Sequence, residues 1–208
     1  MRARFSALVG MSLVYAVVVS PALAQAPAAA RDPGQYISGL GSRVIELISD
    51  QQQPAAERKQ QFAALVDQSF DMDGIARFIL GAYWRSATDQ QRTEFAQVFK
   101  TYMVDVYWSD FSKYSGQKLT VAGQRSESPT VAVVASAIDQ PDGKPPVNVE
   151  WHVANQNGAL KITDVSIAGV SELITYRQEF GNVIAQAGGN VGALTAQLRQ
   201  KIQQIGGA

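Results

Sequence analysis

The chain has 208 residues, with 18 basic and 18 acidic side chains, one histidine and no cysteine. A chain without cysteine has no disulfide bonds, no thiolate nucleophile and no cysteine-ligated metal, and its balanced, dispersed charge argues against nucleic acid as a partner. A chain of this length is long enough to form one hydrophobic core without covalent cross-links.

The N-terminal segment is typical of a secretory signal peptide. Arg2 and Arg4 precede an apolar run over residues 5–19, which is shorter than the roughly 20 apolar residues of a membrane anchor. We expect cleavage of residues 1–24 after Ala24, which leaves 16 basic and 18 acidic side chains and a net charge of −2. Residues 25–34 are rich in Ala and Pro and predict a flexible leader, and residues 35–205 predict a single domain.

Apolar positions recur at steps of three and four residues after the leader, which predicts a series of helices. The first begins near Gln35 and the second at Pro54, where the fixed φ and missing N–H of proline suit a helix start. Asp71 predicts the N-cap of a third helix, and Gly81 predicts its end.

The longest predicted helix spans about residues 89–114. It opens with Thr88-Asp-Gln-Gln91, which has the Thr-x-x-Gln pattern of a capping box. Its apolar positions form one stripe that contains Phe95, Phe99, Tyr102, Met103 and Val106.

Beyond residue 117 the apolar period changes from 3.6 to 2, which predicts strands. Short, turn-forming connections predict antiparallel pairing of four strands, at residues 118–124, 130–138, 147–154 and 160–167. Two more helices are predicted over residues 171–186 and 190–205. The order of helices, strands and helices predicts an α+β domain with an antiparallel four-stranded sheet packed against a bundle of helices.

The space between the sheet and the aromatic helix has two interpretations. The second strand carries small apolar residues on both faces, and the third alternates Val149 and Trp151 with polar residues. Small side chains opposite large ones form an ordinary interdigitated core, or they leave an apolar cavity for a ligand. Periodicity by itself favours the ordinary core.

Ser171 lies at a strand-to-helix junction, as the serine of a nucleophile elbow does. The elbow needs Gly-x-Ser-x-Gly, whereas this chain has Leu173 in place of the second glycine. The single histidine, His152, falls on the polar face of a strand and is a poor candidate for the base. We therefore predict that Ser171 is the N-cap of the following helix and accepts a hydrogen bond near Leu173 or Ile174.

Asp164 is the carboxylate with the most unusual position. It follows Leu160 and Ile162 at alternate positions of the fourth strand, where apolar residues are expected. Burial with a partner such as Arg177 is the structural interpretation, and a general acid or base is the functional one. No group of acidic residues has the spacing of a calcium loop, so no metal site and no catalytic set is predicted.

Three segments carry a resemblance to a known family. They are SFDMDGIARFILGAYW (residues 69–84), TDQQRTEFAQVF (residues 88–99) and KITDVSIAGVSELITYRQEF (residues 161–180). In order and spacing they resemble the MlaC family, also called toluene-tolerance proteins, over residues 36–202.

The resemblance implies a periplasmic phospholipid carrier without a cofactor. Such carriers exchange lipid between an outer-membrane lipoprotein complex and an inner-membrane ABC transporter complex with its anchored substrate-receiving subunit, which maintains outer-membrane lipid asymmetry. It also implies a twisted antiparallel sheet facing helices, with acyl chains between the two layers. The resemblance therefore favours the cavity over the ordinary core.

The sequence pattern, combined with this expectation, predicts a set of lipid-binding residues. They are Tyr83, Trp84, Phe99, Met103, Tyr107, Val133, Ala135, Val149, Trp151, Val165, Ile167, Val170 and Ile174. Two alternatives stay open, namely a carrier of another apolar ligand such as a hopanoid, and an enzyme of similar shape that uses Asp164.

Overall fold

Five helices precede the sheet in the described part of the chain. The computed structural model describes residues 32–111, 114–141 and 143–206, so the predicted signal peptide lies outside the described residues. The helices are α1 (Pro33–Ser49), α2 (Ala55–Ser69), α3 (Met72–Leu80), α4 (Tyr83–Ser86) and α5 (Asp89–Phe111). Helix α1 begins at Pro33, inside the predicted leader of residues 25–34, because the Asp32 carboxylate caps the amides of Gly34 and Gln35.

The predicted helix caps are present in the structure. The Asp71 side chain accepts a hydrogen bond from the Gly74 amide at the start of α3. At the start of α5 the Thr88 hydroxyl accepts from the Gln91 amide at 3.1 Å, and the Gln91 side chain accepts from the Thr88 amide at 2.9 Å. This reciprocal pair is the capping box that the sequence predicts.

The strands form one antiparallel sheet in the order β1-β2-β3-β4-β5. They are β1 (Lys118–Ser128), β2 (Val131–Asp139), β3 (Val147–Gln156), β4 (Ala159–Ile167) and β5 (Val170–Ser171). The α+β prediction is confirmed, with a fifth strand in addition to the four predicted. The chain reverses direction between β4 and β5 through Ala168 and Gly169, both with positive φ. Because β5 is only two residues long, it has no alternating pattern that the sequence could show.

Strand β4 contains a bulge that changes which residues face inward. His152 pairs with Asp164 and Val153 pairs with Ile162, so Thr163 is an extra residue in β4. A bulge of one residue reverses the alternation of side chains beyond it. Ile162 on one side of the bulge and Val165 on the other therefore both face the inner side of the sheet.

Two helices follow the sheet, α6 (Glu172–Gln186) and α7 (Val191–Gly206). Ser171 is the N-cap of α6, as predicted, and its hydroxyl accepts from the Ile174 amide at 3.1 Å. Helices α1, α2, α3 and α6 pack on strands, whereas α5 packs on α2, α3 and α7. Consequently α5 faces the sheet across a space that α1, α2, α3 and α6 border.

The described helices are also relevant to membrane insertion. None of those between residues 32 and 206 combines the length with the apolar character that a bilayer crossing requires.

Candidate functional site

An apolar cavity of about 420 Å³ lies between the inner face of the sheet and the helices. This volume falls in the range of roughly 300–1,000 Å³ that is typical of small-molecule sites. Its wall is formed by α1, α2, α3, α5 and α6 together with β1, β2, β3 and β4, and most of the lining side chains are aliphatic or aromatic.

Seven of the predicted lipid-binding residues line this cavity. Helix α5 contributes one side chain per turn along a single face, because its positions are four residues apart. The sheet contributes neighbouring pairs of β3 and β4, since Val149 pairs with Ile167 and Trp151 pairs with Val165. The seven are Phe99, Met103, Tyr107, Val149, Trp151, Val165 and Ile167.

The inward face of β2 was predicted wrongly. Val133 and Ala135 pair with His152 and Glu150, so they share the face of the polar β3 residues and do not line the cavity. The inward positions are those of opposite parity, including Ser136, whose hydroxyl accepts a hydrogen bond from the Trp151 indole at 2.9 Å. Because both faces of β2 are small and apolar, its sequence did not contain the information that distinguishes them.

Four other predicted residues also lie off the cavity wall. Tyr83 and Trp84 pack against the helical core, and the Arg92 guanidinium lies 5.3 Å from the centre of the Trp84 ring. Val170 and Ile174 are 58% and 51% exposed. Ile174 lies on the outer side of α6, because the neighbouring Leu173 and Tyr176 are the α6 residues that face the cavity.

The helices α1, α2 and α3 form a large part of the wall that the sequence did not predict. Their apolar stripes are visible in the sequence, but a stripe does not reveal whether it faces another side chain or a void. The residues concerned are Ile37, Leu40, Val44, Ile45, Ile48, Phe62, Leu65, Val66, Ile75 and Ile79.

Asp164 lies at the bulge of β4 and joins the sheet to α6. Its carboxylate accepts hydrogen bonds from the Ser171 hydroxyl at 2.6 Å and from the Leu173 amide at 3.1 Å. It also accepts from the amide of Val165 at 2.7 Å. Both carboxylate oxygens are therefore engaged, which is typical of a structural role.

Arg177, the partner considered for Asp164, has a different environment. Its guanidinium donates to the Phe78 carbonyl at 3.1 Å and lies 4.6 Å from the centre of the Phe78 ring. It also packs against Gly81, where an added Cβ would come within 3.0 Å of it. Arg177 therefore joins α6 to α3 and leaves Asp164 to the Ser171 hydroxyl and the backbone amides.

The polar groups on the wall gather around α5 and the first turn of α6. Burial, followed by the nearby Glu172 carboxylate, raises the pKa of Tyr107 above its usual range. Burial also raises the pKa of Tyr176, with Tyr107 as the next largest cause. For Glu172 itself, burial and then Asp164 raise the pKa. Both tyrosines are thus neutral hydroxyl groups at physiological pH.

The positions of His152 and of the acidic side chains bear on the alternative of an enzyme. His152 lies 3.0 Å from the Glu127 carboxylate and is absent from the cavity wall. Among residues 32–111, 114–141 and 143–206, no group of three His, Asp or Glu side chains is arranged to hold a metal ion. The cavity thus offers an apolar volume with a few hydroxyl and carboxylate groups, which suits binding of a largely apolar molecule.

Comparison with known proteins adds a family and a fold. The family model described as MlaC protein matches residues 40–200 of this chain. A curated relative, the intermembrane phospholipid transport system binding protein MlaC of Haemophilus influenzae strain Rd, is 24% identical over 129 residues, which is 61% of this chain. The chain spans 59% of the length of that relative.

A solved structure has the same fold. It is that of a phospholipid-binding protein from Ralstonia solanacearum in complex with a phospholipid, with a TM-score of 0.73 and 23% sequence identity. The match covers 84% of this chain and 99% of the other.

Proposed function

The chain belongs to the MlaC family, and from this premise we propose that it is a periplasmic carrier that holds phospholipid acyl chains in the cavity. The observation that carries the proposal is the apolar cavity of about 420 Å³ between the sheet and α5. The names of the two similar proteins, both of which refer to phospholipid, agree with this assignment.

The free energy of acyl chains explains why a carrier is needed. Each buried CH₂ is worth about 0.8 kcal/mol relative to water, so a free phospholipid does not cross an aqueous compartment at a useful rate. A bilayer shields the chains nearly as well as the cavity does, so transfer between membrane and carrier is close to neutral. The carrier therefore supplies a path, and the direction of transport comes from its partners.

We propose as partners the two membrane complexes implied by the family. These are an outer-membrane lipoprotein complex and an inner-membrane ABC transporter with its anchored substrate-receiving subunit. ATP consumption by the transporter would then set the direction, and the exchange would maintain outer-membrane lipid asymmetry. A signal peptide over residues 1–24 is part of the same proposal, because the carrier has to reach the periplasm.

The first experiment is organic extraction of protein purified from a bacterial periplasm, followed by mass spectrometry. We expect phospholipid in stoichiometric amounts. A hopanoid in the extract would reassign the cargo, and repeated preparations with no apolar ligand would contradict the carrier proposal.

A matched pair of variants tests whether the cavity holds the lipid. Met103→Trp fills part of the cavity and is expected to lower the retained phospholipid severalfold. Ile174→Trp places the same side chain on the exposed face of α6 and is expected to leave the lipid content unchanged. Equal lipid content in the two variants, both folded, would place the ligand elsewhere.

A further inference from the structure

The cavity wall also bears on the headgroup of the bound lipid, an inference that rests on the proposed function. The charged residues of the cavity wall are the carboxylates Asp110, Asp164 and Glu172 and the ammonium group of Lys118. Asp110 and Lys118 are exposed and Glu172 is half-exposed, whereas the aliphatic lining residues are buried or half-buried. The charged groups therefore mark the end of the cavity that meets solvent, where a headgroup would lie.

The first turn of α6 is closed to an anionic headgroup. A helix N-terminus attracts phosphate through its free amides. Here the Leu173 amide donates to Asp164 at 3.1 Å, and the Ile174 amide donates to Ser171 at 3.1 Å. The carboxylate of Asp164 thus takes the place that a lipid phosphate would need.

Among the described residues, Glu172 differs from Asp164 in having no hydrogen-bond or ion-pair partner. Within the described chain its side chain forms no hydrogen bond or ion pair with the protein. It nevertheless lies on the wall, close enough to Asp164 and to Tyr107 to affect their electrostatic environment. A half-buried carboxylate without a cation is a ready acceptor for an ammonium group.

Two tyrosine hydroxyl groups near Glu172 are also without hydrogen-bond partners among the described residues. Neither Tyr107 nor Tyr176 has a protein partner for its hydroxyl in the described part of the chain, although both line the cavity. Burial keeps both phenols neutral, so both retain a proton to donate. They are suited to donate to the phosphate or ester oxygens of a lipid.

We propose that the open end of the cavity selects a zwitterionic phospholipid with an ammonium headgroup over an anionic one. The Glu172 carboxylate accepts the ammonium group, and the Tyr107 and Tyr176 hydroxyls donate to phosphate or ester oxygens. The neighbouring Asp164 and Glu172 carboxylates disfavour a headgroup whose only charge is the phosphate.

The test is a competition between two lipids. Delipidated protein is mixed with vesicles of equal parts phosphatidylethanolamine and phosphatidylglycerol, re-isolated, extracted and analysed by mass spectrometry. We expect phosphatidylethanolamine to be enriched about two- to fivefold over its share in the vesicles, as befits one half-exposed charge pair. Enrichment of phosphatidylglycerol, or no enrichment, would overturn the headgroup proposal.

Variants assign the selection to a residue. Glu172→Gln is expected to abolish the enrichment, and Glu46→Gln, the same charge change at an exposed position of α1, is expected to preserve it. Tyr107→Phe is expected to weaken retention of both lipids by similar factors. Unchanged enrichment in Glu172→Gln would contradict the role of that carboxylate.

The alternative is that the ammonium group of Lys118 selects the headgroup. If its ammonium group governed recognition, the protein would enrich phosphatidylglycerol, and Lys118→Gln would remove that enrichment; this result would overturn the proposal. Failure of the carrier function itself looks different, because the wild-type protein would then retain neither lipid.

Discussion

The two halves of α5 carry one apolar stripe, but they meet different surroundings. In the N-terminal half, Phe95 is fully buried. Its ring centre lies 5.7 Å from that of Phe99 in a stacked arrangement and 6.5 Å from that of Phe180 in an edge-on arrangement. In the C-terminal half, Met103 and Tyr107 face the cavity. The difference teaches that the elements packed opposite a stripe, and not the stripe itself, decide whether it forms core or binding site.

The partners of the two halves explain the contrast. Helices α6 and α7 approach the first half closely and fill the space with Phe180, Leu194 and Leu198. The second half faces the sheet across a gap that α1 and α2 border but do not fill.

The largest expected effect on stability comes from truncating a side chain in the N-terminal half of α5. Phe95→Ala is expected to destabilise the fold by about 3–5 kcal/mol, because a tightly packed aromatic cluster leaves a void when it loses one ring. Chemical denaturation measures the loss. Phe78→Ala is the matched control at a 39% exposed position and is expected to cost far less.

The junction between the cavity wall and α6 depends on Asp164. Asp164→Asn is expected to cost about 1.5–3 kcal/mol, because hydrogen bonds to a charged acceptor are worth that much. Lipid retention per folded molecule should not change, and extraction of the purified variant measures it. A variant that is stable but fails to bind lipid, or that loses an enzymatic activity, would revive the functional interpretation of Asp164.

The corresponding truncation in the C-terminal half of α5 is expected to reduce stability less. Met103→Ala should cost less than about 2 kcal/mol, since a side chain beside an existing void has fewer neighbours to lose. The comparison with Phe95→Ala uses the same denaturation experiment. Equal costs would mean that the C-terminal half is as tightly packed as the N-terminal half.

The smallest effect, and one of opposite sign, is expected at Glu172. Its pKa is raised in the folded state, so the folded protein disfavours the ionised form. The contribution of Glu172 to stability is therefore most favourable below the unfolded pKa of about 4.5 and is lost as pH rises through the higher folded pKa. Glu172→Gln should gain less than about 1 kcal/mol at neutral pH, because a half-exposed charge is screened.

Thermal unfolding at two pH values measures this gain. The difference between Glu172→Gln and the wild-type protein should disappear below pH 4.5, where the glutamate is also neutral. A difference that persists in acid would indicate a cause other than ionisation.

Local signals in the sequence were sufficient for most of the fold. The Thr88–Gln91 capping box, the Asp71 and Ser171 N-caps and the period of the strands depend on neighbours within a few residues, and the structure contains all of them. The wall positions on α5 and β3 followed from the same periodicities, whereas Val165 and Ile167 of β4 lie beyond the bulge that reverses the alternation. By contrast, Val133 and Ala135 were misplaced because a strand with two apolar faces does not indicate its inward side.

What the sequence by itself determined is thus most of the helices and strands, their caps and the apolar stripes, since these rest on local hydrogen bonds and side-chain periodicity. The tertiary structure decided the β4 bulge at Thr163, which turns both Ile162 and Val165 inward, and the two-residue strand β5. It also decided that α1 and α2 complete the wall and that Asp164 bonds to Ser171 instead of Arg177. A void exists only where several elements fail to meet, so no local pattern predicts its position.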